Sequence, residues 1–233
     1  MTRNPLIVAL DVESADQARE LVERLGGHVN FYKIGMELYA GAGVSFVREL
    51  IDEGKEVFLD LKLYDIPETV RRATVQVALA GVRFLTVHAV ASVMRAAVEG
   101  RGDTGGLQLL GVTVLTSFGP EDMEDLDTKL TIPELVARRA RKAVSLGIDG
   151  VVASPLEAAT LREALGPKPI IVTPGVRSAG ADHGDQKRVA TPAAAMRDGA
   201  DYLVIGRQIT RAADPAAEAA RILEEIGAAW LSA

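Results

Sequence analysis

The 233-residue sequence predicts an α/β fold, a single (β/α)8 TIM barrel over residues 1–233. Three observations predict it. Eight short aliphatic or β-branched runs alternate with longer amphipathic stretches along the whole chain, so strand and helix succeed each other without interruption. The spacing comes to about 29 residues per strand–helix unit, close to the size of one βα unit. The first strand ends in Leu10-Asp11-Val12-Glu13-Ser14, without glycine, which argues against the G-x-G-x-x-G turn of an open dinucleotide-binding sheet.

The elements follow in order. A strand at 6–11 (LIVALD) leads to a helix at 14–25, opened by Ser14 and Gln17 in the S-x-x-Q pattern of a capping box. The strand at 29–35 (VNFYKIG) leads to a helix at 36–53, the strand at 56–62 (EVFLDLK) to 68–80, and the strand at 83–89 (RFLTVHA) to 91–99. The long apolar run at 107–115 precedes Thr131 and a helix at 132–146 with proline in its first turn. The strand at 149–154 leads to a helix at 156–165, the strand at 169–175 to Thr191 and a helix at 192–198, and the strand at 201–206 to the closing helix at 215–230. Gly54, Gly81, Gly147 and Gly199 each lie between a helix and the next strand, where a left-handed helix end is expected. The strand runs are nearly continuous in apolar residues, as strands covered on both faces should be.

Composition removes several function classes. Hydrophobic residues make up 48% and charged residues 25%, too apolar for a disordered chain. There is no cysteine, hence no disulfide, thiolate zinc site, iron–sulfur cluster or cysteine nucleophile. The formal net charge of -6 argues against a nucleic-acid partner. Asp11 and Glu13 interrupt the N-terminal apolar run, so no signal peptide is expected, and no run reaches the roughly 18–20 apolar residues of a membrane span. A cytoplasmic location follows as the expectation.

In such a barrel the reacting groups stand at the C-terminal ends of the strands. Those ends carry Asp11, Lys33, Asp60, Lys62 (with Asp65 in the following loop), His88, Thr113, Thr116, Thr173-Pro174-Gly175 and Gly206-Arg207. Asp60 and Lys62 are two apart and share a face, while Leu59, Leu61 and Leu63 take the other. The charged pair therefore faces the barrel interior, either as a structural salt bridge or as an acid–base array. Only seven lysines stand against nineteen arginines, yet two of the seven, Lys33 and Lys62, lie inside strands. A lysine can surrender a proton near neutral pH, which an arginine cannot. His28 and His183 read as surface residues, His88 as a barrel-facing core histidine or a ligand, and Trp230 as packing for the last helix. No histidine pair has metal-ligand spacing, and no metal or cofactor is expected.

The run Asp60-Leu61-Lys62-Leu63-Tyr64-Asp65-Ile66-Pro67-Glu68-Thr69 resembles the D-x-K-x-x-D-I-P signature of the orotidine 5′-phosphate decarboxylase family, in its compact bacterial form. ALD in the first strand, YKIG in the second, VHA in the fourth, VTVLTS in the fifth, TPGVR and GDQKR around the seventh and YLVIGR in the eighth agree in order and spacing. Tyr64 stands where histidine is frequent, and Glu68 where asparagine is. The resemblance implies conversion of orotidine 5′-monophosphate to UMP and CO2 in pyrimidine biosynthesis, without a cofactor, by a homodimer with shared active sites. It implies that Lys62 protonates C6, flanked by Asp60 and Asp65 and with Lys33 completing an alternating array. It implies that Asp65, Ile66 and Thr69 come from the second subunit. Asp11 and Lys33 would hold the ribose, Thr116 and Ser117 would lie beside the pyrimidine, and Gln186, Gly206 and Arg207 would grip the phosphate, with Arg177 at the base of a closing loop. That loop, at about 174–188, reads from composition equally as an ordinary surface loop; an anion site beneath it makes it a lid. The alternative is a Mg2+-dependent sugar-phosphate decarboxylase or hexulose phosphate synthase of the same suprafamily.

Overall fold

The computed structural model describes residues 4–103, 106–126, 128–178 and 190–230, the side chains of Pro120 and of residues 228–230 excepted. Eight parallel strands close into a barrel in sequence order. They are β1 (Leu6–Ala9), β2 (Phe31–Gly35), β3 (Glu56–Leu63), β4 (Phe84–His88), β5 (Gln108–Val112), β6 (Gly150–Val152), β7 (Ile170–Pro174) and β8 (Tyr202–Ile205). Closure is the pairing of β1 with β8, Ile7 opposite Val204. The helices are α1 (Ala15–Leu25), α2 (Met36–Asp52), α3 (Pro67–Leu79), α4 (Ala91–Arg101), α5 (Pro120–Asp125), α6 (Ile132–Ser145), α7 (Ala158–Leu165), α8 (Pro192–Arg197), α9 (Arg207–Thr210) and α10 (Pro215–Trp230). Among the described residues, no helix is long and apolar enough to cross a membrane.

Two cores follow from the two faces of each strand. The outward-facing residues, such as Leu59 and Leu85, pack under the helices. The inward-facing ones fill the barrel, and along each strand they change character. Phe31 on β2 is followed by Lys33, Phe58 on β3 by Asp60 and Lys62, and Tyr202 on β8 by Val204 and Gly206. The lower half is an aromatic plug. The rings of Phe31 and Phe84 are 5.1 Å apart, and Tyr202 meets Phe84 edge-on at 5.2 Å, a favoured geometry for ring quadrupoles. The upper half is therefore where, among the described residues, the interior opens into a cavity lined by charged side chains.

The N-terminal face is tied by one device used twice. Asp149, just before β6, accepts from the Leu109 amide at 2.8 Å and from Arg101 of α4. Asp201, just before β8, accepts from the Ile171 amide at 2.7 Å and from Arg162 of α7 at 2.6 Å. Each aspartate thus joins a helix, one strand and the start of the next. On the outside, α3 and α4 approach so closely that a Cβ on Gly100 would lie 2.3 Å from the Arg71 carbonyl oxygen.

The helix signals stand as read. Ser14 Oγ accepts from the Gln17 amide, although Gln17 returns its bond to the Glu13 amide rather than to that of Ser14. Thr131 and Thr191 cap α6 and α8. Gly54, Gly81, Gly147 and Gly199 all have positive φ. Three features differ from the expectation. The fifth strand ends at Val112, and the chain then turns into the short α5. Helix α9 begins directly after β8. The pairing of β3 with β4 shifts register between Leu59 and Leu63.

Candidate active site

The C-terminal mouth of the barrel holds a cavity of about 430 Å³. Its floor and one side carry a line of alternating charges supplied by three neighbouring strands. Lys33 Nζ donates to Asp11 Oδ1 at 2.8 Å and lies 3.8 Å from Asp60 Oδ2. Lys62 Nζ donates to Asp60 Oδ2 at 2.9 Å. Along Asp11–Lys33–Asp60–Lys62 the middle pair is the most buried: the Asp11 side chain is 55% exposed, Lys33 11%, Asp60 14% and Lys62 29%. Charges this buried persist because each has an opposite neighbour. Gly35 makes the crowding possible, since a Cβ there would sit 3.3 Å from both Asp11 Oδ1 and Lys33 Nζ.

Lys62 is placed by an irregularity in β3. It has φ +49, the one non-glycine residue with positive φ among those described. Such a backbone costs about 1–3 kcal/mol and survives where its surroundings over-determine it. Leu59 pairs with Leu85 and Leu63 with Val87, so Asp60, Leu61 and Lys62 together face the single residue Thr86. This is a bulge that re-aims a side chain. Leu61 and Leu63 still pack outward against the helix layer, so both charges remain on the inner side.

The opposite wall is apolar: Val112, Val114, Leu115, Val152 and Val204, with Thr116 at the rim. At the β7–β8 end stand Gly175, Arg177, Gly206, Arg207 and Arg211. Arg177 is buried, and its Nη1 donates to the Val176 carbonyl at 2.8 Å. Just beyond, Ser178 is fastened to α9 and α10 through Gln208 and Glu225. The two carboxylates lining the cavity, Asp11 and Asp60, stand with the lysines, so the arginine end is positive and suited to an anion.

The structure thus brings together Asp11, Lys33, Asp60, Lys62, Thr116, Arg177, Gly206 and Arg207. It does not bring Asp65, Ile66 or Thr69 to them. All three are exposed beyond the cavity lining, and the Asp65 carboxylate accepts from the Ile66 amide at 2.6 Å. Within one chain the charge line runs from Asp11 to Lys62; the flanking of Lys62 by Asp65 is expected from a second subunit. Ser117 is also exposed and outside the lining. Gln186 and His183, and most of the loop expected at 174–188, lie outside the described residues.

Two strand-end residues take other roles. Thr113 is buried and donates to the Val152 carbonyl at 3.0 Å. His88 does not line the cavity; its half-buried ring lies 5.2 Å from that of Tyr64. Burial holds its pKa below the usual histidine value, and the cations of Arg139 and Lys62 add to the effect. Two residues escaped the sequence reading. Arg211 follows Arg207 by four, a helical spacing that puts both at the cavity. Thr86 looked like an ordinary β-branched strand residue. Among the described residues, no group of three or more metal-ligating side chains is gathered.

The family described as orotidine 5′-phosphate decarboxylase / HUMPS matches residues 4–222. An orotidine 5′-phosphate decarboxylase of Nitrobacter winogradskyi is 53% identical over 226 residues, 97% of this chain and 94% of that one. One of Methylobacterium nodulans is 52% identical over 229 residues, covering 97% of each. The crystal structure of orotidine 5′-phosphate decarboxylase from Lactobacillus acidophilus superimposes with a TM-score of 0.86 at 36% identity, over 96% of this chain and 99% of that one.

Proposed function

From the premise that the chain belongs to the orotidine 5′-phosphate decarboxylase / HUMPS family, we propose that its cavity binds orotidine 5′-monophosphate and releases UMP and CO2. The enzyme is a carboxy-lyase of pyrimidine biosynthesis. The observation that carries the reading is the Lys62 ammonium, held on Asp60 at the mouth of the barrel and backed by Lys33.

The chemistry follows from that placement. As the bond from C6 to the carboxylate breaks, its electron pair stays on C6 in an orbital with little resonance relief. A fixed cation beside C6 stabilises the developing carbanion at no reorganisation cost. The Lys62 ammonium then gives its proton to C6, and the amine left behind recovers a proton from solvent. Asp60 holds Lys62 in position and repels the substrate carboxylate until CO2 departs. Asp11 and Lys33 hold the ribose hydroxyls. Thr116 lies beside the pyrimidine against the valine wall. Gly206 and Arg207 take the phosphate, with Arg177 beneath the loop at about 174–188 and Gln186 from that loop; its closing over the anion excludes water.

The remaining roles belong to a homodimer in the cytoplasm. Asp65, Ile66 and Thr69 are exposed and lie outside the lining of their own cavity. Tyr64 and Ile66, on either side of Asp65, are each 68% exposed. A second subunit would cover them and receive Asp65 beside its own Lys62.

Release of CO2 from orotidylate, with and without EDTA, tests the assignment. Turnover unaffected by EDTA is expected, and the Lys62→Ala variant should lose at least about 10³-fold, since proton donor and cation go together. No CO2 from orotidylate, together with EDTA-sensitive and Mg2+-restored turnover of a sugar-phosphate substrate, would favour the other chemistry of the suprafamily. Near-normal turnover in the variant would refute the role of Lys62.

A further inference from the structure

We propose that Thr86 is a positioning residue for the decarboxylation, coupling the backbone of Lys62 to the carboxylate of Asp60; the proposal rests on the reading of the site given above. Thr86 is fully buried on β4 and does not line the cavity. Its hydroxyl has one hydrogen, donated to Asp60 Oδ1 at 2.9 Å. The oxygen accepts from the Lys62 amide, also at 2.9 Å. With its hydrogen committed, the hydroxyl has one orientation, and both bonds are satisfied in it.

The bulge explains why a side chain is needed. Between the Leu59–Leu85 and Leu63–Val87 pairs, β3 has three residues and β4 one. At this shift the part-buried Lys62 amide donates to a side chain, and an unpaired amide there would be costly. Thr86 Oγ1 supplies the acceptor. The same atom fixes the carboxylate that holds Lys62 Nζ at 2.9 Å. Lys62 is thus gripped at both ends, its amide by Thr86 directly and its ammonium by Asp60, which Thr86 orients. This accounts for how a lysine at φ +49 is over-determined. Serine or threonine fits the role; valine keeps the shape and loses both bonds.

The test compares Thr86→Val with Thr86→Ser, and Thr86→Ala with Thr86→Ser should the valine variant fold poorly; alanine and serine differ by one oxygen. Steady-state kinetics with orotidylate and deuterium exchange at the Lys62 amide are read for each. Without the hydroxyl, kcat should fall about 10–100-fold, the range for one charge-assisted bond lost near the reacting centre. KM should stay within about three-fold, because Thr86 does not touch substrate. Exchange at Lys62 should quicken. Serine should keep kcat within a few-fold of wild type and retain slow exchange. Equal loss in the serine variant, a rise in KM alone, or unchanged kcat without the hydroxyl would overturn the proposal. If the wild type leaves orotidylate untouched, the reading of the site fails instead. Exchange then decides for Thr86 alone: unchanged protection without the hydroxyl overturns its hold on Lys62.

Discussion

Lys62 combines a left-handed backbone with a carboxylate 2.9 Å from its ammonium, and its neighbours divide the remaining work by charge. The arginine end is the clearest division. Arg207→Ala should lower kcat/KM for orotidylate by about 10–150-fold, the equivalent of roughly 1.5–3 kcal/mol for a charge-assisted contact. The nucleoside lacking the phosphate should be affected little; equal damage to both substrates would make Arg207 structural. His88 offers a test by pH. Burial and the cations of Arg139 and Lys62 hold its folded pKa below the unfolded value. The unfolded chain therefore binds a proton first, and stability falls as pH drops through about 6.5. The loss stops growing below the depressed folded pKa. Thermal melts from pH 7.5 to 5.5 should show a steeper decline for the wild type than for His88→Asn, and parallel curves would remove His88 from the account.

Elements differ in how much of them the sequence discloses. Strands with two covered faces are readable because their apolar runs are short and bounded, and the step from Phe58 to Asp60 and Lys62 marks where β3 leaves the plug and enters the cavity. The bulge in the same strand is not readable. Lys62 carries no glycine-like signal, and the compensation for its strain sits on β4. Helices α5 and α9 are four to six residues long, too short for a periodic signal. Asp65, Ile66 and Thr69 were nameable only by resemblance, because geometry within one chain leaves them outside the site. The seam between α3 and α4 is an element-scale test. Gly100→Ala would put a methyl 2.3 Å from the Arg71 carbonyl oxygen, backbone that cannot swing aside. The helices must part, at a cost of about 1–3 kcal/mol, which lowers the melting temperature by about 2–10 °C. Gly27→Ala, with nothing within 4 Å of the new Cβ, is the control and should melt close to the wild type.

For the whole molecule, the decisive matter is whether one chain makes a complete site. Two inactive chains, Lys62→Ala and Asp65→Asn, can be co-expressed with different affinity tags. If Asp65 serves the neighbouring subunit, each mixed dimer has one site with both lesions and one with neither. Random pairing makes half the dimers mixed, so about one quarter of wild-type activity should return. If Asp65 serves its own chain, every site keeps a lesion and activity stays at the parental level. Doubly tagged dimers without activity would sink the shared site and leave the family assignment standing.

The aromatic plug has a consequence for traffic. Phe31, Phe58, Phe84 and Tyr202 fill the barrel below the charged residues, so among the described residues the vessel is corked at one end and opens at its C-terminal mouth. Substrate, both products and the water that restores the Lys62 proton all share it. Arrival and departure cannot overlap, and a nucleotide standing in the doorway sets the queue. Gas formed in the cavity leaves by that same opening, so a bound nucleotide and the departing CO2 compete for one passage.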